Sequence, residues 1–147
     1  MNGRVHDVKA TFAFRMGVLG ALTESRYSAL LDTLELRPKH VGLMVALETG
    51  GPAVQLDMAR KLGVAPSLVV TLADHLEGLG AIQRVRDRDD RRRQLLSLTS
   101  GGRELLERCG ALAAGLDEEL TAALTPDERA AMDGILRKLA AAAGLPT

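Results

Sequence analysis

The segment Ile82–Thr99, IQRVRDRDDRRRQLLSLT, constrains this chain more than any other. It sets six arginines (Arg84, Arg86, Arg88, Arg91, Arg92 and Arg93) and three aspartates between two short runs that contain apolar residues. So dense a charge run cannot enter a core, because an unpaired buried charge costs more than a small domain can offset. The pattern predicts a β-hairpin with strands Ala81–Val85 and Gln94–Leu98, its tip standing in solvent. The tip carries a surplus of three positive charges. Guanidinium groups are planar, permanently charged forks, so such a finger suits a negatively charged groove.

The residues before the hairpin predict two short helices joined by a tight turn. The first covers about Val54–Leu62, with Leu56, Ala59 and Leu62 inward. Gly63-Val64-Ala65 forms the turn, and Pro66 opens a helix to about Leu79 with Val69, Leu72, Leu76 and Leu79 on its core stripe. Ser67, Leu68, Val70, Thr71, Asp74 and His75 occupy its other face. This is the order of a helix-turn-helix followed by a wing, a mainly α fold with one small β-hairpin, and it points to double-stranded DNA as partner. The candidate contacts are Ser67, Leu68, Val70, Thr71 and His75 on the helix, with Arg84, Arg86, Asp90, Arg91, Arg92 and Arg93 on the wing.

The formal net charge of zero does not oppose this, because the charge is unevenly placed. Residues 53–100 hold eight basic and six acidic side chains, whereas residues 101–147 hold five and eight. Local potential, not the whole-chain sum, steers binding. Long helices are expected on both sides of the winged module. One covers about Asp7–Leu34, with Val8, Phe12, Met16, Leu19, Leu22, Leu30, Leu31 and Leu34 apolar, and the next covers Lys39–Glu48 after Pro38. Another runs over Gly102–Leu120 behind a Thr99 cap. The last follows Thr125-Pro126-Asp127-Glu128, a capping box, and extends to about Ala143 before Gly144 and Pro146. The module at 37–101 is too small to cover the stripes of 1–36 and 102–147. Two copies interlocking those segments as a homodimer would cover them and supply two recognition helices.

The order of elements and the local sequence resemble the MarR family, the multiple-antibiotic-resistance regulators of bacteria. The resemblance spans about residues 8–143 and is most specific from Leu62-Gly63-Val64 through Leu72-Ala73-Asp74-His75-Leu76-Glu77, Gly80 and Ile82. It continues over Asp87, Asp90-Arg91-Arg92, Leu98-Thr99 and Gly102, and Leu36-Arg37-Pro38-Lys39-His40 also fits. It implies a homodimeric winged-helix transcriptional regulator, usually a repressor that releases DNA when a small effector binds. By the same resemblance Arg91 or, preferably, Arg92 enters the minor groove, and Asp90 orients the wing arginines. The recognition helix departs from the family. Ala65-Pro66-Ser67-Leu68-Val69-Val70-Thr71 stands where members carry a capping Ser or Asp and a more polar run. Such a helix reads sequence less through polar base contacts and more through thymine methyls and DNA shape.

Other functions find little support. No nucleophile and base occur at a recognisable spacing and no glycine-rich phosphate loop is present, so neither an enzyme nor a cofactor is expected. His6, His40 and His75 are too scattered for a metal site. Cys109, the single cysteine, lies on an apolar helical stripe and reads as a structural thiol. Phe12, Met16, Tyr27, His40 and Met44 are candidates for an effector pocket, though such residues at helical spacing also make plain core. The opening MNGRVHDVKA has no signal-peptide core and no apolar run spans a bilayer, so a cytoplasmic protein without membrane association is expected. The alternative function is a ligand-binding or sequestering protein on the same scaffold that has lost sequence-specific DNA reading.

Overall fold

Prolines, glycines and polar caps divide the chain into its elements. The computed structural model describes residues 7–145. It consists of α1 Phe12–Leu31, α2 Pro38–Gly50, α3 Gln55–Leu62, α4 Pro66–Gly78, β1 Ile82–Arg86, β2 Gln94–Leu98, α5 Ser100–Leu120 and α6 Pro126–Ala142. Pro38, Pro66 and Pro126 each open a helix, where their missing N–H has no intrahelical partner to lose. This is the mainly α fold with a two-stranded wing that the sequence predicts. Met1–His6 and Pro146–Thr147 fall outside the described residues. The readings of a leader, of His6 and of Pro146 as a terminator therefore stay with the sequence.

The first predicted helix is broken into three. A 3-10 turn, Val8–Ala10, precedes α1, and a second, Asp32–Leu34, follows it. Thr11 makes the first break because its Oγ1 accepts from the Phe14 amide at 3.3 Å, which caps α1. The second break ends at Glu35, whose φ of 58° puts a non-glycine residue in the left-handed region.

One compact unit ends at residue 112 and a second begins at 113, with α5 contributing to both. The core of the first is built from Leu31 and Leu36 with Leu43, Met44 and Leu47 of α2, and Val69, Leu72 and Leu76 of α4. Ile82 and Leu96 of the wing and Cys109 of α5 complete it. Two expected core positions are corrected. Leu56 is 49% exposed, because the inward arc of α3 is Met58, Ala59 and Leu62, and Leu56 lies about 115° around the helix from the centre of that arc. Leu79 is 38% exposed, because α4 ends at Gly78 and the stripe finishes with Ala73 and Leu76.

The strands pair antiparallel with Ile82 opposite Leu98 and Val85 opposite Leu95. Ala53, just before α3, adds a bridge to Leu96, with Ala53 N–H donating at 3.1 Å and Leu96 N–H at 2.8 Å. The wing is thereby stitched to the entry of the helix-turn-helix. In the second unit α6 starts at the expected capping box. Thr125 Oγ1 accepts from the Glu128 amide at 3.2 Å, and Glu128 Oε2 accepts from the Thr125 amide at 2.9 Å. Exposed large apolar side chains gather on the outer elements: Phe12, Phe14, Met16, Val18, Leu19 and Leu22 on α1, and Ile135, Leu136 and Leu139 on α6.

Candidate nucleic-acid interface

Two local devices place α4 at the surface. Gly63, with φ 63°, makes the left-handed turn that lets the Val64 amide return to the Ala59 carbonyl at 3.0 Å. Ala65 then precedes Pro66 in an extended conformation and offers no side-chain cap. The buried stripe Val69, Leu72, Ala73 and Leu76 turns the opposite side of α4 to solvent.

Beyond the shared core, an ion-pair clasp ties the wing to that helix. Arg84 of β1 donates from Nη2 to Asp74 Oδ1 at 2.5 Å and from Nη1 to Glu77 Oε2 at 2.6 Å. Asp74 and Glu77 lie three residues apart on one face of α4, so a single guanidinium fork spans both. The carboxylates are largely exposed, so the clasp contributes about 1 kcal/mol or less to stability. Its main effect is geometric: the wing and α4 share one orientation.

Beyond the strands, the aspartates organise main chain instead of pairing with arginines. Asp87 N–H donates to the Arg93 carbonyl at 3.0 Å, and Arg93 N–H donates to the Asp90 carbonyl at 2.9 Å. Asp90 Oδ1 accepts from the Arg92 amide, and Asp87 Oδ1 from the Asp89 amide, each at 3.0 Å. These are side-chain-closed turns. Asp90 therefore bears on the wing through its grip on the Arg92 backbone. Among the described residues, no carboxylate forms a salt bridge with Arg86, Arg88, Arg91, Arg92 or Arg93. A cleft of about 650 Å³ opens beside them, lined by Gln55, Asp57, Arg86 and Arg91 to Arg93 among others.

A family model described as the MarR family matches residues 36–93. The HTH-type transcriptional regulator YwhA of Bacillus subtilis is 30% identical over 112 residues, spanning 70% of this chain and 78% of that protein. The chain belongs to the MarR family. The crystal structure of apo MarR from Escherichia coli superposes with a TM-score of 0.79 at 22% identity, covering 88% of this chain and 96% of that one. CouR from Rhodococcus jostii, bound to p-coumaroyl-CoA, superposes at 0.71 with 24% identity, covering 92% and 95%. Both share the fold. This MarR-family chain is a winged-helix, DNA-binding transcriptional regulator by class.

On the MarR-family scaffold the sequence-predicted residues fall into three groups. Ser67, Val70 and Thr71 on α4, and Arg86, Asp90, Arg91, Arg92 and Arg93 on the wing, are exposed. Leu68 and Arg84 are placed otherwise: Leu68 packs partly buried against the core, and Arg84 is occupied by its clasp. His75 is exposed, yet its Nε2 donates to the Glu35 carbonyl at 2.6 Å and its ring lies 4.6 Å from that of His40. The Asp74–Arg84–Glu77 clasp was missed in the sequence. Its only signal was two acids at helical spacing with an arginine shortly after.

Of the residues considered for an effector pocket, Tyr27 and Met44 share one core, and Phe12 and Met16 lie outside it. Phe12 and Met16 are exposed on α1, and eleven residues, about 16 Å of helix, separate Met16 from Tyr27. Tyr27 donates its hydroxyl to the Cys109 carbonyl at 3.1 Å, and Met44 is fully buried in the core. Burial pushes the Cys109 thiol pKa up, which keeps it protonated and suits a structural role.

His40 is buried, and its Nδ1 accepts from the Arg37 amide at 2.8 Å at the start of α2. Burial, then the neighbouring His75 and Arg37, push its pKa below the usual 6.5. The ring is thus held neutral, and the unfolded chain takes up a proton first as pH falls. Stability from this site is full above the ordinary histidine pKa and is lost below it. Thermal melts at about pH 7.5 and about pH 5.5 should show the loss, and His40→Gln should flatten it. An unchanged pH slope in the variant would contradict the assignment.

Proposed function

We propose that this chain is a homodimeric, ligand-responsive repressor that reads a palindromic operator. In this reading α4 enters the major groove and the wing arginines enter the flanking minor groove, with Arg92 the inserted residue. The observation that carries it is the set of tip guanidinium groups left without carboxylate partners beside an exposed recognition helix. A narrow minor groove concentrates negative potential, which such groups match. Residues 37–101 form the DNA-reading module, and 1–36 with 102–147 form the dimerisation region. The apolar side chains left exposed on α1 and α6 support that division.

Operator half-sites lie about 34 Å apart along the duplex, so a small change in the spacing of two recognition helices weakens binding. An effector acts through that spacing. The occupancy of CouR by p-coumaroyl-CoA supports an effector-responsive reading, and membership of a family of transcriptional regulators supports a cytoplasmic place of action.

The test is a titration of purified protein against duplexes enriched from a random pool, at several salt concentrations. A palindromic consensus, a two-chain stoichiometry and a steep salt slope are expected. A flat, negligible response would favour the sequestering scaffold. Arg92→Ala should weaken operator binding by about 1–3 kcal/mol with the thermal melt unchanged. Equal affinity of variant and parent in an anisotropy titration would remove Arg92 from the interface.

A further inference from the structure

We infer that α4 reads thymine methyl groups, with Val70 as the specificity-determining side chain. This rests on the DNA-binding reading above and specifies what that helix recognises. A recognition helix usually selects bases by hydrogen bonding to their edges, and most of the side chains able to do so here already hold a partner within the chain. The Thr71 hydroxyl donates to the Ser67 carbonyl at 3.1 Å. His75 Nε2 donates to the Glu35 carbonyl at 2.6 Å. Asp74 and Glu77 both accept from Arg84. Ala65, at the entry of the helix, brings no polar atom in its side chain.

What α4 leaves open is an apolar spot. Val70 is 41% exposed, and it sits one turn beyond Ser67 and one turn before Asp74. Leu68 cannot take this part because it packs against the core. Ser67 remains as a free hydroxyl at the first turn, but a hydroxyl both donates and accepts, so it fits several base edges and discriminates weakly among them. In the major groove only thymine presents a methyl group, so an exposed valine among engaged polar groups discriminates thymine from the other bases. Covering one methyl changes binding by about fourfold.

The experiment takes the full chain and the consensus enriched from a random pool, and replaces each consensus thymine in turn by deoxyuridine. That exchange removes only the methyl. One thymine per half-site should prove sensitive, each replacement weakening binding by about fourfold. Val70→Ala, at an exposed position, should keep the parent melting temperature. It should lose affinity for the thymine duplex by a similar factor and lose no more on the deoxyuridine duplex, so that the two changes are not additive. Deoxyuridine tolerated at every position overturns the proposal while leaving DNA binding intact. Equal losses in parent and Val70→Ala also overturn it, because the methyl would then act through duplex shape. If no sequence is enriched and the salt response is flat, the DNA-binding reading fails and takes the proposal with it.

Discussion

Gly102→Val should destabilise the folded chain by about 3 kcal/mol or more, the largest single effect expected at the wing. A Cβ at this position would overlap the Ala81 carbonyl oxygen and the Leu98 side chain. Neither neighbour is free to retreat. The Ala81 carbonyl accepts from the Thr99 amide at 3.0 Å, and Leu98 is buried opposite Ile82 in the strand pair. Thr99 in turn donates its hydroxyl to the Gly80 carbonyl at 2.6 Å and accepts from the Gly102 amide at 3.0 Å. The start of α5, the exit of α4 and the base of the wing thus meet at one point that has no room for a side chain. Gly110→Ala is the contrasting change, since nothing lies within 4 Å of a Cβ built there. It should stabilise α5 by about 0.5–1 kcal/mol. Urea unfolding at constant m-value measures both. A loss below about 1 kcal/mol for Gly102→Val would show that α5 can shift away from the wing, and the proposed rigidity of that junction would be wrong.

Met44→Ala should cost about 2–5 kcal/mol, the range for truncating a fully buried core side chain. The sequence left Met44 open to two readings, effector contact or core. Its complete burial among Leu31, Leu43 and Leu76 favours the second. Phe12→Ala and Met16→Ala provide the comparison, because both residues lie outside the core in the single chain. If these residues cover a second copy, their loss should lower the melting temperature in a manner that depends on protein concentration, whereas the Met44→Ala loss should not. Parent-like stability of Met44→Ala would return that residue to the list of effector contacts.

The winged module was legible because its signals are local. Gly63 and Pro66 mark the turn, the Val69-Leu72-Leu76 stripe marks the buried side of α4, and the arginine run marks a tip that cannot be buried. The same locality misled at the ends of elements. Leu56 and Leu79 match the periodicity by count, but one lies around the helix from the core and the other lies past the helix end.

Chain order, helix starts and the charge at the hairpin tip follow from the sequence, because turns, caps and hydrophobic period act between neighbours. Which polar groups stay available for DNA is a different kind of question. It depends on partners set in other elements: Arg84 of β1 on Asp74 and Glu77 of α4, and His75 of α4 on the Glu35 carbonyl. Those pairings exist only once the helices and wing have packed, since an ion pair or close contact needs two groups within a few ångströms and no periodic pattern records that distance. The sequence thus determined that a basic finger stands beside a recognition helix, and tertiary packing decided that Asp74, His75 and Glu77 of this helix are bonded within the chain while Val70 stays exposed.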